Sequence, residues 1–380
     1  MTAGTGAHQM PSPGPSAGGH GSRPFGVYVH VPFCRHRCDY CAFATYTDRD
    51  HLMEDYAAAC TTEIGRAVER EGMAPATSVF FGGGTPSRLP ADLLVEVLAA
   101  VPLAPGAEVT VECNPEDVTG QLLATYRAAG VTRISLGVQS TVGHVLEGLG
   151  RRHGPEHVVS AAALVAGEGF DSWNLDLILG GAGERDVDWE RSLGDLLSLE
   201  SPPPHLSAYA LTVEPGTPLA RTPDRHPDDD VQAGRYETAD RVLAGAGYQW
   251  EEISIWARPG HGCRHNNLYW EQGDYRGIGS AAHSHRDGRR WWNVRTPDRY
   301  VALVGEDRPT EAGEEVLDGP TRAFEALALA LRTPAGVPDE ALPDDPDLEG
   351  LVDRSSGRAV LTVRGRLLAN AVTRRLVVPG

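Results

Sequence analysis

From Phe25 onward a short apolar run is followed by a stretch with apolar residues at three- and four-residue spacing, and this pair recurs six times. The runs lie at 27–31, 78–81, 109–112, 133–137, 173–179 and 205–211. The helical stretches lie near 50–71, 91–101, 116–129, 155–168, 186–199 and 228–246, with Met53, Tyr56, Cys60, Ile64 and Val68 marking one apolar stripe. Six strand-then-helix units predict an α/β fold with a parallel sheet and right-handed crossovers. Such a sheet can curl into a partial barrel, and in barrels and open sheets alike ligands collect at the carboxyl ends of the strands.

The flanking regions read differently. Residues 1–24 are dominated by Gly, Pro, Ser, Ala and Thr and hold too few large apolar side chains to offset the entropy of ordering, so a disordered leader is expected. The barrel is expected over 25–246. Aromatics crowd the stretch 247–337, with Trp250, Trp256, Trp270, Trp291 and Trp292 among Gly, His and Arg, which suggests an accessory region packed on the sheet. A Pro- and Asp-rich loop at 338–349, an apolar helix at 324–331 and a strand or turn followed by a helix near 361–376 suggest a small C-terminal α+β or helical domain over 338–380.

Fifty-two Asp and Glu face 34 basic residues, for a net charge of -18, and every one of the 34 is arginine. The acidic balance counts against a nucleic-acid partner. The missing lysines exclude Schiff-base and P-loop lysine chemistry. No apolar run is long enough to span a bilayer and the N-terminus lacks the pattern of a secretion signal, so a cytoplasmic protein without a transmembrane segment is expected.

In a reducing compartment, clustered cysteines point to metal rather than disulfides. Cys34, Cys38 and Cys41 have the spacing C-x3-C-x2-C and follow the first strand. Thiolates select zinc or iron–sulfur. Zinc in a closed tetrahedron needs a fourth ligand, for which His30, His36 and Cys60 are the candidates. Three cysteines on a cubane instead leave one iron open to a small molecule bearing an amine and a carboxylate. The second strand runs into Gly82-Gly83-Gly84-Thr85-Pro86, where glycines admit a close backbone approach to a ligand, or simply a tight turn. Cys60, on a helical stripe, and Cys113, at a strand end, read as buried structural thiols.

These motifs, with Tyr28-Val-His-Val-Pro-Phe-Cys34, Glu112-Cys-Asn-Pro115, Ser135-Leu-Gly-Val-Gln139-Ser140, Gly150-Arg151-Arg-His153, Asn174-Leu-Asp176 and His265-Asn-Asn-Leu-Tyr-Trp270, resemble the coproporphyrinogen oxidase-like branch of the radical S-adenosylmethionine (SAM) superfamily. Within it the resemblance is to the HemW-type haem chaperones, and it runs from Tyr28 to Trp270. It implies a partial (β/α)6 barrel with a [4Fe-4S] cluster on Cys34, Cys38 and Cys41. It also implies a SAM site formed by Tyr28, Gly83, Gly84, Thr85, Glu112, Gln139, Arg151 and Asp176. Chemically, Glu112 and Asp176 can accept from ribose hydroxyls or ammonium, and Arg151 can pair with a carboxylate; the structural alternative is that the two acids anchor strand ends.

Within the branch, the oxygen-independent oxidases that decarboxylate coproporphyrinogen III carry a fourth cysteine where this chain has Phe43, whereas the chaperones carry the His-Asn-x-x-Tyr-Trp block. Haem transfer to an acceptor haemoprotein, such as a membrane respiratory enzyme, is therefore expected ahead of oxidase activity, with a zinc-stabilised binding module third. Whether the chain is an enzyme, whether SAM is cleaved and whether the chain dimerises are left open, and a peripheral position at a membrane is compatible with this reading. His265 is a candidate haem ligand, with Cys263, His283 and His285 as weaker ones and a packed hydrogen-bonded corner as the structural alternative. One departure stands after Asp176, where Gly180-Gly181-Ala182 occupies the place of the family's usual Gly-Leu-Pro.

Overall fold

A computed structural model describes residues 23–379. The expected leader, 1–24, lies outside those residues except for its last two positions. Strands β1 (Phe25–Val31), β2 (Ala76–Gly83), β3 (Leu103–Cys113), β4 (Arg133–Gln139), β5 (Ser172–Leu179) and β6 (His205–Ala210) pair in parallel in sequence order. Helices α1 (Met53–Glu71), α2 (Ala91–Ala100), α3 (Gly120–Ala128), α4 (Gly143–Gly148), α5 (Pro155–Glu168), α6 (Asp186–Leu197) and α7 (Asp229–Gly245) connect or follow them. All six strand–helix units expected from the sequence are present. The six-residue α4 carries too short a stripe to be read from periodicity.

Parallel strands covered by helices are apolar on both faces, which is why they stood out in the sequence. Val27, Val79, Val111, Ile134, Leu136 and Leu175 are fully buried and share one core with Ile64 of α1, Leu94 and Leu98 of α2, Leu123 of α3 and Leu193 of α6. Helix α1 ends at Gly72, whose left-handed backbone (φ 64°) lets it close the last turn.

The barrel does not close, because β1 and β6 pair outward instead of with each other. Further along the chain lie β7 (Gln249–Glu252), β8 (Ile255–Ala257), α8 (Arg264–Trp270), β9 (Asp274–Ile278), β10 (His283–Arg286), β11 (Arg289–Asn293), α9 (Pro297–Gly305), β12 (Glu311–Val316) and α10 (Gly319–Ala330). β9 joins β1 in parallel and continues through β10, β11 and β12, while β8 and β7 extend the sheet beyond β6, so that twelve strands form one sheet. The aromatic-rich region expected to pack on the sheet is thus largely part of it. A separate apolar cluster, from Leu331 to Leu376, gathers around a three-stranded sheet formed by 337–338, 358–361 and 352–353.

The sheet extension is fastened to α1 by one buried carboxylate. Glu63 Oε2 accepts from the Gly279 amide (3.0 Å) and the Tyr300 hydroxyl (2.5 Å), and Oε1 accepts from Asn293 Nδ2 (3.0 Å) and the Thr310 hydroxyl (3.1 Å). Arg276 lies 3.5 Å away. Donors from β11, α9 and two loops thereby converge on one side chain.

Candidate cofactor site

A cavity of about 500 Å³ opens at the carboxyl ends of the parallel strands. Cys34, Cys38, Cys41, Gly83, Gly84, Thr85, Glu112, Gln139, Arg151 and Asp176 all line it. Five of the six strands deliver these residues to one mouth, which is why positions more than a hundred residues apart in sequence face one another.

The cysteine loop is clipped to β1 and to the glycine turn by backbone hydrogen bonds: Cys34 N to Tyr46 O (3.0 Å), Tyr46 N to Pro32 O (2.8 Å), Gly84 N to Val31 O (2.8 Å) and Thr85 N to Phe33 O (2.9 Å). The glycines are required by this packing. A Cβ on Gly83 would lie 2.3 Å from the His30 ring, at φ 109°, and one on Gly84 would lie 2.7 Å from Val31 O. Close approach to the neighbouring strand, not only to a ligand, demands them.

Among the described residues no three Cys, His, Asp or Glu side chains are drawn tightly enough to grip a single ion. The thiols nevertheless share one wall. Cys34 Sγ is 3.5 Å from the Thr85 hydroxyl and Cys38 Sγ accepts from Arg151 Nη1 at 3.5 Å. Burial pushes the Cys34 thiol up to about 11, partly offset by Thr85, so an incoming iron must displace its proton. Of the other zinc-ligand candidates, His36 lines the cavity. His30 is engaged with the Ala44 carbonyl (3.0 Å), and Cys60 is buried beside the Tyr300 hydroxyl.

Arg151 is braced from several sides. Its Nη2 donates to Asn114 Oδ1 (2.7 Å) and the Gly137 carbonyl (2.8 Å), and Asn114 in turn donates to Thr85 (3.2 Å). Asn114 is thus a site residue the sequence reading did not single out; its signal was its position two residues after Glu112 on the same strand end. Gln139 is held in the left-handed region at φ 68°, a conformation a side chain adopts at a cost and one that clusters at functional sites. Glu112 accepts from the Gly83 amide at 3.3 Å, and burial, with Asp176 beside it, raises its carboxyl to about 8. Burial raises Asp176 as well, opposed by hydrogen bonds from Asn174 and Ser135. Tyr28 stands behind this wall, stacked on Phe80, with its hydroxyl 3.1 Å from His30.

His265 is not brought to this cavity. It is fully buried, Nδ1 lies 2.9 Å from the Ser78 hydroxyl, Nε2 lies 2.8 Å from the Tyr269 hydroxyl, and the ring stacks on Phe80. Both nitrogens are engaged, so here it forms a packed corner and offers no ligand to a porphyrin iron. Its neighbours face outward on two sides: Cys263 and Asn266 line the deep end of the cysteine cavity, whereas Asn267 and Trp270 line a second cavity of about 600 Å³. His285 is occupied by the Gly273 carbonyl (2.9 Å) and the Gly288 amide (3.2 Å), and His283 is exposed against Trp292. Cys113 is buried in the cavity wall, and Phe43 lies exposed at its rim. In the departing loop, the Gly180 amide donates to Glu184 (2.7 Å), which also pairs with Arg235 (2.8 Å), so the loop is anchored without the usual Leu-Pro.

A parallel six-unit open barrel with three cysteines after its first strand is the architecture of the radical SAM superfamily, and that superfamily's profile matches residues 28–196. The chain belongs to the HemW heme chaperone family within it. It is 42% identical to the heme chaperone HemW of Mycobacterium tuberculosis over 373 residues, covering 93% of this chain and 95% of the relative. It is 39% identical to the HemW of Escherichia coli, covering 79% and 81% respectively. Among solved structures, coproporphyrinogen III oxidase from E. coli superposes with a TM-score of 0.79 at 21% identity, covering 93% of this chain and 89% of that one, a likeness of fold alone.

Proposed function

We propose that this protein binds haem and transfers it to an acceptor haemoprotein, with a membrane respiratory enzyme as the first candidate, in the cytoplasm. Cys34, Cys38 and Cys41 would hold a [4Fe-4S] cluster. Tyr28, Gly83, Gly84, Thr85, Glu112, Gln139, Arg151 and Asp176 would hold SAM against it. The single observation that carries the cofactor part is that three thiols, two carboxylates and a braced guanidinium share one cavity. The donor set fits: soft sulfurs on one wall suit iron, and the carboxylates and Arg151 suit an amino acid head group and ribose hydroxyls.

Such a cluster supplies one electron to SAM when reduced. The chain's own residues do the rest of the work at this site. Arg151 places positive charge beside Cys38, the glycine turn offers the Gly83 amide, and Phe43, with no metal-binding atom, stands where the oxidases have a cysteine. Among the described residues no helix is long and apolar enough to cross a membrane.

The test is anaerobic reconstitution with iron and sulfide, then haem titration followed in the visible spectrum, with coproporphyrinogen decarboxylation assayed in parallel. Stoichiometric haem binding without decarboxylation is expected. Decarboxylation with no stable haem complex would transfer the chain to the oxidases.

A further inference from the structure

From Asp176 a line of buried polar side chains runs along the wall of the same cavity. Asn174 Nδ2 donates to Asp176 Oδ1 (2.8 Å) and to the Ser135 hydroxyl (2.8 Å), and that hydroxyl donates its one proton to Asp176 Oδ2 (3.2 Å). Asn174 Oδ1 accepts from the Ser207 hydroxyl (3.2 Å) and faces His205 Nδ1 at 2.7 Å. His205 Nε2 is 3.2 Å from Glu251 Oε2, a charge-pair distance not aligned as a hydrogen bond; both atoms are buried and neither has any hydrogen-bond partner. Glu251 is also a wall of the second cavity, and its Oε1 accepts from the Cys263 amide (2.9 Å) at the start of α8.

The inventory of donors fixes the direction of this chain. An ionised Asp176 only accepts, so Asn174 must turn its amide nitrogen toward it and its carbonyl toward His205. His205 must then donate from Nδ1. A neutral ring in that tautomer would point the Nε2 lone pair at a carboxylate oxygen, two acceptors in contact inside a protein, and a proton on the line between them removes the conflict. Burial first, then Arg133, across from β4, and His261 from the loop after β8 push the imidazolium down on balance, to about 4, against Glu251, which pushes it up. A second proton on the ring is therefore held through Glu251 or not at all.

We propose that Asn174, His205 and Glu251 are positioning residues for Asp176: one proton shared between His205 and Glu251 locks the chain so that Asp176 presents a carboxylate to the cofactor cavity. This rests on the SAM reading of that cavity. It also links the wall of the second cavity to the cofactor site through four side chains.

The test uses the full chain, reconstituted anaerobically and matched for iron content, with labelled SAM in equilibrium dialysis. His205→Leu removes the Nδ1 donor, leaves Asn174 Oδ1 held by the Ser207 hydroxyl alone and so loosens Asn174 beneath Asp176, and is expected to weaken SAM binding about tenfold, the worth of one charge-assisted hydrogen bond. His205→Asn retains a side-chain donor toward Asn174 and is expected to restore affinity to within about threefold. Histidine-selective nitrogen NMR, with His205 assigned by difference from the Asn variant, should show a protonated Nδ1 in the wild type and, in Glu251→Gln, a neutral ring still protonated there. Unchanged affinity in the Leu variant, or a bare Nδ1, overturns the relay. A wild type that takes up iron but no SAM overturns the cofactor reading instead, and the Nδ1 signal still decides the state of the chain.

Discussion

Removing the Glu63 carboxylate should loosen the sheet extension from the barrel by a calculable amount. Four donors within 3.1 Å converge on its two oxygens. In Glu63→Ala the Gly279 amide, Asn293 Nδ2 and the Tyr300 hydroxyl lose that acceptor, although Asn293 keeps the Gly279 carbonyl (2.9 Å), Tyr300 can still donate to Cys60 Sγ (3.8 Å) and Thr310 to Asn293 Oδ1 (2.9 Å). A hydrogen bond to a buried charged group contributes about 1.5–3 kcal/mol, and orphaning a buried donor costs about 1–3 kcal/mol. Two donors left short, plus Arg276 reduced to its more exposed partner Glu71 (3.1 Å), give roughly 4 kcal/mol, in the range for breaking a buried ion pair. Glu63→Gln should cost less, about 2 kcal/mol, because its amide oxygen keeps one pair of donors and the Thr310 or Tyr300 hydroxyl on the other side can turn to accept. Urea unfolding followed by circular dichroism measures both. A loss below about 1 kcal/mol for the Ala variant, the level of an exposed ion pair, would refute the view that this carboxylate is the fastening.

Other outcomes follow from the cofactor site. Cys38→Ala should leave the fold intact by circular dichroism yet lower iron per chain after reconstitution severalfold, and retention of wild-type iron would remove that cysteine from the ligand set. Gly83→Ala puts a methyl group against His30 at positive φ and should cost about 2–4 kcal/mol in unfolding experiments; a neutral result would show that the turn adapts. Glu112 is raised to about 8 by burial and by Asp176, so the folded chain holds a proton that the unfolded chain has released across the interval from the ordinary carboxyl range to about 8. Stability of the cluster-free chain should therefore fall as pH rises through that interval, and Glu112→Gln should flatten the slope; a slope insensitive to the substitution contradicts the assignment.

The parallel core was legible because its strands are buried on both faces and its helices carry one apolar stripe. The expected helix at 155–168 matches α5 residue for residue, and the other barrel boundaries fall within four residues except the start of β3, at Leu103 where 109 was expected. The strands of the sheet extension were not legible. β10 reads His-Ser-His-Arg and β12 reads Glu-Ala-Gly-Glu-Glu-Val, short polar runs that become strands only because β9 and β11 offer them a ladder. The cavity residues could be named from motifs at strand ends, yet the direction a short helix faces could not. On α8 the sequence favoured His265, and packing against Ser78, Phe80 and Tyr269 turned it inward and presented Asn266 to the cavity. The glycine turn reads from sequence as a ligand cradle or a plain tight turn, and its nearest demand proves to be β1 and His30.

Haem transfer tests the central claim most directly. The haem-loaded protein, freed of excess haem, is mixed with an apo-haemoprotein whose loaded spectrum differs from its own, and the two are separated and their haem contents measured. The account predicts that haem leaves this protein and appears in the acceptor faster than it does when a scavenger for free haem is the only sink. Haem that stays bound, or that reaches the acceptor only at the rate of its release into solution, would contradict a chaperone function.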